Sequence, residues 1–309
     1  MVQIERDAPI LPHNATVTLG NKEYRIESGL GEGSYARVLR AINNANKKIV
    51  GLKIQKPAFA WEYYIAKEIQ TRLKNAPILQ GFMSIDCAFL FRNASILEMD
   101  YAPYGNLLDA INKVKAASGR QIHVSIATLL SIQLFDIVDH LHKCKIIHGD
   151  IKPDNFVLFS LPTTDPQNIC IKLIDFGRSI DMSLLPDGIE FRQVVKTEDF
   201  QCTEMRDGRS WTYQTDLFGL AGTTYLLLMG EYMKVSKRGR EWTLQKNLHR
   251  YLHREVWLPI YEQLLNVESC SNLPNLPELR RRLQDLLVTV DQKWLTHCLM
   301  SFGNILQGH

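Results

Sequence analysis

Cysteine is scarce in this chain: six in 309 residues, at 87, 144, 170, 202, 270 and 298, the nearest two 26 positions apart. Without any Cys-x-x-Cys pair, the common zinc-finger and thioredoxin-type motifs are excluded, and reduced thiols of a cytosolic or nuclear protein are expected. An excess of one charge is lacking too. Thirty-six Lys and Arg against 33 Asp and Glu leave +3, too little to make nucleic acid or a membrane the main partner. Long apolar runs are missing: Leu217 to Met229, the longest nearly apolar stretch, falls short of the roughly 20 residues a bilayer crossing needs and is expected as a buried helix. Near the start, Glu5, Arg6, Asp7 and Pro9 stand where a secretory signal would carry its apolar run, so a soluble protein is expected. Internal repeats and low-complexity tracts are likewise absent.

What is present suits a packed protein. Hydrophobic residues make up 45% and charged residues 22%, which excludes disorder. The length allows two lobes of ordinary size, each with its own core.

The most informative stretch is His148-Gly149-Asp150-Ile151-Lys152-Pro153-Asp154-Asn155, followed after a strand-like run, Ile169 to Ile174, by Asp175-Phe176-Gly177. Loop-favouring residues dominate the octapeptide, but the pair of motifs at this spacing resembles the catalytic and metal-binding loops of eukaryotic protein kinases. The resemblance implies that Asp150 accepts or orients the substrate hydroxyl proton and that Lys152 steadies the transferring phosphoryl group. Asn155 and Asp175 are implied as Mg²⁺ ligands. Their oxygens are the hard donors this cation prefers.

Upstream, Gly29-Leu30-Gly31-Glu32-Gly33-Ser34-Tyr35-Ala36-Arg37-Val38 lies between strand patterns near 24–26 and 38–41. A glycine hairpin lets backbone N–H groups approach phosphate oxygens, and Gly31, Gly33, Ser34 and Val38 are the expected contacts. The third kinase glycine is replaced by Ala36. Val50-Gly51-Leu52-Lys53 resembles the kinase Val-Ala-Ile-Lys strand, which places Lys53 on the α and β phosphates. A helix-borne glutamate must orient that lysine. Glu62 and Glu68 are the candidates, and being six apart they do not share a helical face. The run Ala94 to Met99 leads into Asp100-Tyr101-Ala102-Pro103-Tyr104-Gly105-Asn106-Leu107, which looks like the kinase hinge. Met99 would stand at the gate of an adenine pocket, with the backbone of Asp100 and Ala102 at the adenine edge. Residues 1–24 are expected as an extension packed on an N-lobe of 25–102, ahead of a C-lobe of 103–309.

Within the C-lobe, the period of apolar residues predicts a helix over 126–143 with Ser125 available as its cap. Residues 178–202 would form the activation segment, ordered without phosphorylation because Gly149 offers no guanidinium to a phosphate. Glu204 closes that segment and is expected to pair with a buried arginine, Arg280, with Arg281 and Arg282 as adjacent alternatives. Asp216 resembles the aspartate that caps the kinase catalytic loop from below. The stretch 237–254 holds Lys237, Arg238, Arg240, Lys246, Arg250 and Arg254 against Glu241, and is expected as a solvated helix face.

Further stretches narrow the resemblance. Gln55-Lys56-Pro57, Trp61-Glu62-Tyr63-Tyr64-Ile65, the loop with Gly149, Phe200-Gln201-Cys202-Thr203-Glu204-Met205 and Tyr232-Met233-Lys234-Val235 together resemble the Bub family of spindle-assembly-checkpoint kinases, including its BubR branch. The family implies an α+β, bilobal protein-kinase fold with a small antiparallel-sheet N-lobe and a mainly helical C-lobe. It favours Glu62 as the partner of Lys53. It further implies ATP and Mg²⁺ as cofactors, and transfer of the γ-phosphate to Ser or Thr of kinetochore or chromatin proteins. The implied locations are the nucleus, kinetochore, chromosome and cytoplasm. Family members carry this domain at the C-terminal end of a longer protein, so checkpoint proteins would be engaged through segments outside this chain. The BubR branch includes catalytically degraded members, and a pseudokinase scaffold is the alternative.

Overall fold

A computed structural model describes residues 1–33, 36–195 and 201–308. They form two compact units. The first comprises residues 1–75, 82–103 and 175–177, the second residues 76–81, 104–174 and 178–309.

In the first unit the strands are β1 (Val2–Gln3), β2 (Thr16–Leu19), β3 (Lys22–Glu32), β4 (Ala36–Asn43), β5 (Ile49–Gln55), β6 (Ile85–Leu90) and β7 (Ser95–Asp100). Among the described residues they form one sheet in the order β1-β6-β7-β5-β4-β3-β2. The pairings are antiparallel except for β1 beside β6. Alternation explains the sheet: Leu39, Ala41 and Asn43 of β4 are buried while their neighbours are not, the period-2 signature of a strand with one covered face. Leu19, Tyr24, Ile26, Val50, Leu52, Phe89 and Ile96 join them in the core, with Leu11 and the partly buried Val2, Ile4 and Ala8 packed alongside. Each large side chain so buried contributes about 1.5–3 kcal/mol before chain entropy is set against it. The two strand patterns flanking the glycine stretch are the middles of a longer hairpin, β3 and β4.

Helix α1 (Trp61–Arg72) belongs to the same unit. Its buried residues are Glu62, Ile65, Ala66 and Ile69, the i, i+3, i+4, i+7 stripe of a helix with one covered face. Glu62 therefore sits on the apolar stripe, and Glu68 does not.

The second unit is mainly helical: α2 (Leu107–Ser118), α3 (Val124–Lys143), α4 (Thr203–Arg206), α5 (Gln214–Met229), α6 (Arg254–Leu265), α7 (Leu276–Val288) and α8 (Gln292–Gln307). Helix α3 is long and apolar enough to cross a membrane by length and composition, but 83% of that apolar window is buried in the fold. Its N-cap is His123, whose Nδ1 accepts from the Ser125 N–H at 3.3 Å. Ser125 lies inside the first turn instead of capping it. Short strands β8 (Ile146–Ile147), β9 (Phe156–Leu158), β10 (Ile171–Leu173) and β11 (Ile180–Asp181) complete the loop region, β9 pairing with β10 and β8 with β11.

The structure corrects two further expectations. The basic stretch begins as a hairpin, β12 (Val235–Arg238) and β13 (Glu241–Leu244), passes through a single 3-10 turn at Arg250–Leu252, and an α-helix starts only at Arg254. Gly239 takes a left-handed φ of 63° at the turn, and Val235 and Leu244 are buried opposite each other, a pairing that helical geometry would not produce. Arg280, on α7, forms an ion pair with Asp136 of α3. Glu204 instead meets Arg209, Nη2 to Oε1 at 3.4 Å. The Arg209 N–H also bonds the Glu204 carbonyl at 2.8 Å, so the turn after α4 brings the two side chains together locally.

Candidate active site

The first unit gathers three charged side chains. Lys53, in the middle of β5 and paired across the sheet with Val38 and Leu97, places Nζ 2.7 Å from Glu62 Oε2 and 2.7 Å from Asp175 Oδ1. Lys53 and Glu62 are buried, while the Asp175 side chain keeps 45% of its exposure. Burial opposes charge on Lys53, but the two carboxylates outweigh it and raise its pKa. Complete burial pushes the Glu62 carboxyl up, with Lys53 pulling the other way and a backbone hydrogen bond at Phe176 helping it. Asp175 adopts a left-handed φ of 64°, a conformation Asp tolerates better than most residues, and the Phe176 ring behind it is fully buried. Glu68 is engaged elsewhere, with Arg72 one turn along at 2.8 Å.

The hinge and glycine residues share that unit. Met99 is buried and lies against Gly51, where an added Cβ would come within 3.1 Å of Met99 Cγ, so the alanine of the kinase pattern would require the Met99 side chain to shift. Asp100 donates its N–H to the Ser84 carbonyl at 3.4 Å, and its carboxylate meets Lys48 at 2.9 Å. The Ala102 N–H finds no acceptor among the described residues, leaving a donor for a ligand edge. Gly31 pairs with Val38, and the Gly33 N–H donates to the Ala36 carbonyl at 2.8 Å. Ser34 lies outside the described residues.

The second unit holds the other cluster. Buried Asp216, in the first turn of α5, accepts from the His148 N–H at 2.7 Å, the Gly149 N–H at 2.8 Å and His142 Nε2 at 3.0 Å. His148 Nδ1 accepts from the Asp150 N–H at 3.2 Å, so its Nε2–H donates to the Ile174 carbonyl at 2.9 Å. Gly149 has φ 76°, and a Cβ there would stand 2.9 Å from the Arg178 carbonyl oxygen. An arginine at this position is thus opposed twice, by conformation and by space. Asp150 Oδ2 receives Lys152 Nζ at 2.9 Å and Asn155 Nδ2 at 3.2 Å. Asn155 Nδ2 also reaches the Asp150 carbonyl at 2.8 Å, which turns its Oδ1 away as an oxygen donor.

Two residues here escaped the sequence reading. Arg178 sets Nη1 3.8 Å from Asp150 Oδ1, and Arg209 holds Glu204. Position directly after Asp-Phe-Gly was the available signal for the first. Proximity in sequence was the signal for the second. Of the activation segment, 178–195 and 201–202 are described; there Phe191 and Trp211 exchange backbone hydrogen bonds at 2.9 Å, and Trp211 Nε1 donates to the Gln193 carbonyl at 2.8 Å.

The protein kinase domain family matches residues 24–293. The chain belongs to the protein kinase family. Within it, the chain is a kinase domain of the Bub1/BubR1 group. It is 37% identical over 287 residues to the mitotic checkpoint serine/threonine-protein kinase BUB1 of Mus musculus, covering 90% of this chain and 27% of that protein. It is 34% identical over 285 residues to the spindle assembly checkpoint serine/threonine-protein kinase BUB1 of Saccharomyces cerevisiae, covering 87% of this chain and 27% of the relative. A crystal structure of the BubR1 kinase domain superposes with a TM-score of 0.95 at 37% identity, covering 98% of this chain and 91% of that one. This kinase domain has the α+β kinase fold, with an antiparallel-rich sheet in the N-lobe and a helical C-lobe. It spans about a quarter of the length of the curated relatives, 27% in both cases.

Proposed function

We propose that this kinase domain transfers the ATP γ-phosphate to Ser or Thr of kinetochore or chromatin proteins in the spindle-assembly checkpoint, acting in the nucleus, at kinetochores and in the cytoplasm. Residues 1–24 would extend an N-lobe of 25–102, and 103–309 would form the C-lobe. The observation that carries the reading is the double ion pair of Lys53 with Glu62 and Asp175, because an active kinase needs this lysine oriented by a helix glutamate and the Asp-Phe-Gly aspartate close by. When bound, Mg-ATP supplies the phosphoryl group and the cation that neutralises its charge.

The residues present fit that cofactor. The half-exposed Asp175 carboxylate and the Asn155 Oδ1 are hard oxygen donors, and the Ala102 N–H, which finds no acceptor among the described residues, and the carbonyl of Asp100 suit an adenine edge. Lys53 would hold the α and β phosphates under a hairpin of Gly31, Gly33, Ser34 and Val38, with Met99 at the adenine gate. Asp150 would take or orient the substrate hydroxyl proton. Lys152, now on Asp150, would steady the phosphoryl group.

Similarity to the BubR1 kinase domain supports a second reading, a scaffold whose nucleotide site is vestigial. Purified protein with and without Asp150→Asn separates the two. Under the enzyme reading, transfer to a histone-type substrate is lost in the variant. Transfer that survives unchanged comes from a contaminant and favours the scaffold.

A further inference from the structure

The β12–β13 hairpin carries more positive charge than its surroundings balance. Lys237 meets Asp207 at 2.7 Å and Lys246 meets Glu231 at 2.6 Å. Arg238, Arg240, Arg250 and Arg254 are exposed and make no ion pair among the described residues. Beneath the hairpin lies a cavity of about 140 Å³ whose wall includes Arg238, Lys246, Leu244, Leu248, Leu258 and Tyr261. Its floor is apolar, and its rim carries the cations Arg238 and Lys246 against one carboxylate, Glu262.

The hairpin is also fixed to the end of the activation segment. Asp207, just after α4, takes Lys237 on one oxygen and Trp242 Nε1 at 3.1 Å on the other. Arg206, the last residue of α4, stacks over the rings of Phe218 and Trp242, 5.4 and 5.7 Å from their centroids. Motion of the hairpin is therefore tied to the helix that closes the activation segment.

We propose that this hairpin is a docking surface for an acidic protein segment bearing one bulky apolar side chain, the carboxylates meeting Arg238 and Arg240 and the apolar group entering the cavity. Charge complementarity selects an acidic partner. The cavity selects a polypeptide over a nucleic acid, since a duplex is held by tracking phosphates with many cations and has no apolar group to insert. The use of the surface rests on the kinase reading: a docked substrate is held beside the segment that receives it, raising its effective concentration there.

The test measures anisotropy of a fluorescein-labelled Asp/Glu peptide carrying a single Leu, titrated with the full chain without nucleotide. Saturable binding is expected, weakened about tenfold or more by Arg238→Glu with Arg240→Glu, and weakened severalfold when Gly replaces the peptide's Leu. That last comparison uses unaltered protein and stands even where the double variant misfolds. Equal binding of both peptides, no saturation as the chain is titrated to about millimolar concentration, or tighter binding of a DNA duplex lost in the same variant each overturns the proposal. In a transfer assay, fusing the acidic segment to an acceptor peptide should lower KM with kcat unchanged, an effect the double variant abolishes. Binding without transfer sinks the kinase reading and leaves the docking surface; transfer without binding does the reverse.

Discussion

The two clusters of catalytic-type residues are built on opposite principles. In the first unit, Lys53, Glu62 and Asp175 hold one another by charge, and each needs the others because two of the three are buried. In the second, Asp150, Lys152 and Asn155 sit on a loop whose backbone is pinned by one carboxylate, Asp216, through two N–H groups and His142. The first cluster fails when a charge is removed. The second fails when its scaffold is. A buried ion pair is a weak source of stability but costly to break, whereas a carboxylate accepting backbone N–H groups fixes a conformation side chains can then exploit.

The largest effect tests whether the second cluster does chemistry at all. Asp150→Asn should reduce phosphate transfer roughly 10²–10⁴-fold, the usual contribution of a positioned base, with Mg-ATP affinity kept within a few fold. Radiolabelled transfer and nucleotide titration measure the two quantities separately, and parallel loss of both would mean the carboxylate also supports nucleotide binding.

Next in size, Asp216→Ala leaves the His148 and Gly149 N–H groups without their acceptor. At about 1–3 kcal/mol for each unsatisfied group, unfolding stability should fall by roughly 2–6 kcal/mol. Denaturant melts that moved by less than a kcal/mol would show the loop to be held by something else.

A paired comparison on α1 is sharper though smaller. Glu62→Gln should cost about 1–3 kcal/mol, less than a fully broken buried pair because Asp175 still faces Lys53. Glu68→Gln should cost no more than about 0.5 kcal/mol, as for other half-exposed i,i+4 pairs. The lysine adds a pH signature. Its folded pKa lies above the ordinary 10.5, so its contribution is complete below that pH and is lost as pH rises through the folded value. In Glu62→Gln the folded value moves back toward 10.5, so the alkaline loss should be smaller and complete at lower pH; identical alkaline limbs would refute the coupling.

The smallest effect belongs to the hairpin anchor. Burial alone would raise Asp207, yet the hydrogen bonds from Lys237 and Trp242 outweigh it and hold the carboxyl below its ordinary 3.8. That contribution is present above pH 3.8 and disappears as pH falls through the lower folded value. Lys237→Met should remove most of it at a cost under about 1 kcal/mol at neutral pH, since the lysine is partly exposed. Acid titration of the melting temperature is the check, and an unchanged acid limb would count against the bridge.

The sequence alone determined what depends on residue type at short range. Loop-forming residues around Asp150 and Asn155, the glycine hairpin, the strand carrying Lys53 and the apolar period of α3 each declare themselves within a few positions, because turn chemistry, strand alternation and helical period are local properties. Resemblance chose Glu62, and the buried stripe of Glu62, Ile65, Ala66 and Ile69 supplies the physical reason. Only the tertiary structure decided the long-range and competing pairings. Arg280 met Asp136 because α7 packs on α3, a contact between positions 144 residues apart that no local pattern encodes. Arg209 took Glu204 because the chain turns sharply after α4. The basic stretch became a hairpin because Val235 and Leu244 found a common buried face, and burial of apolar surface outweighs the weak preference of a charge run for helix.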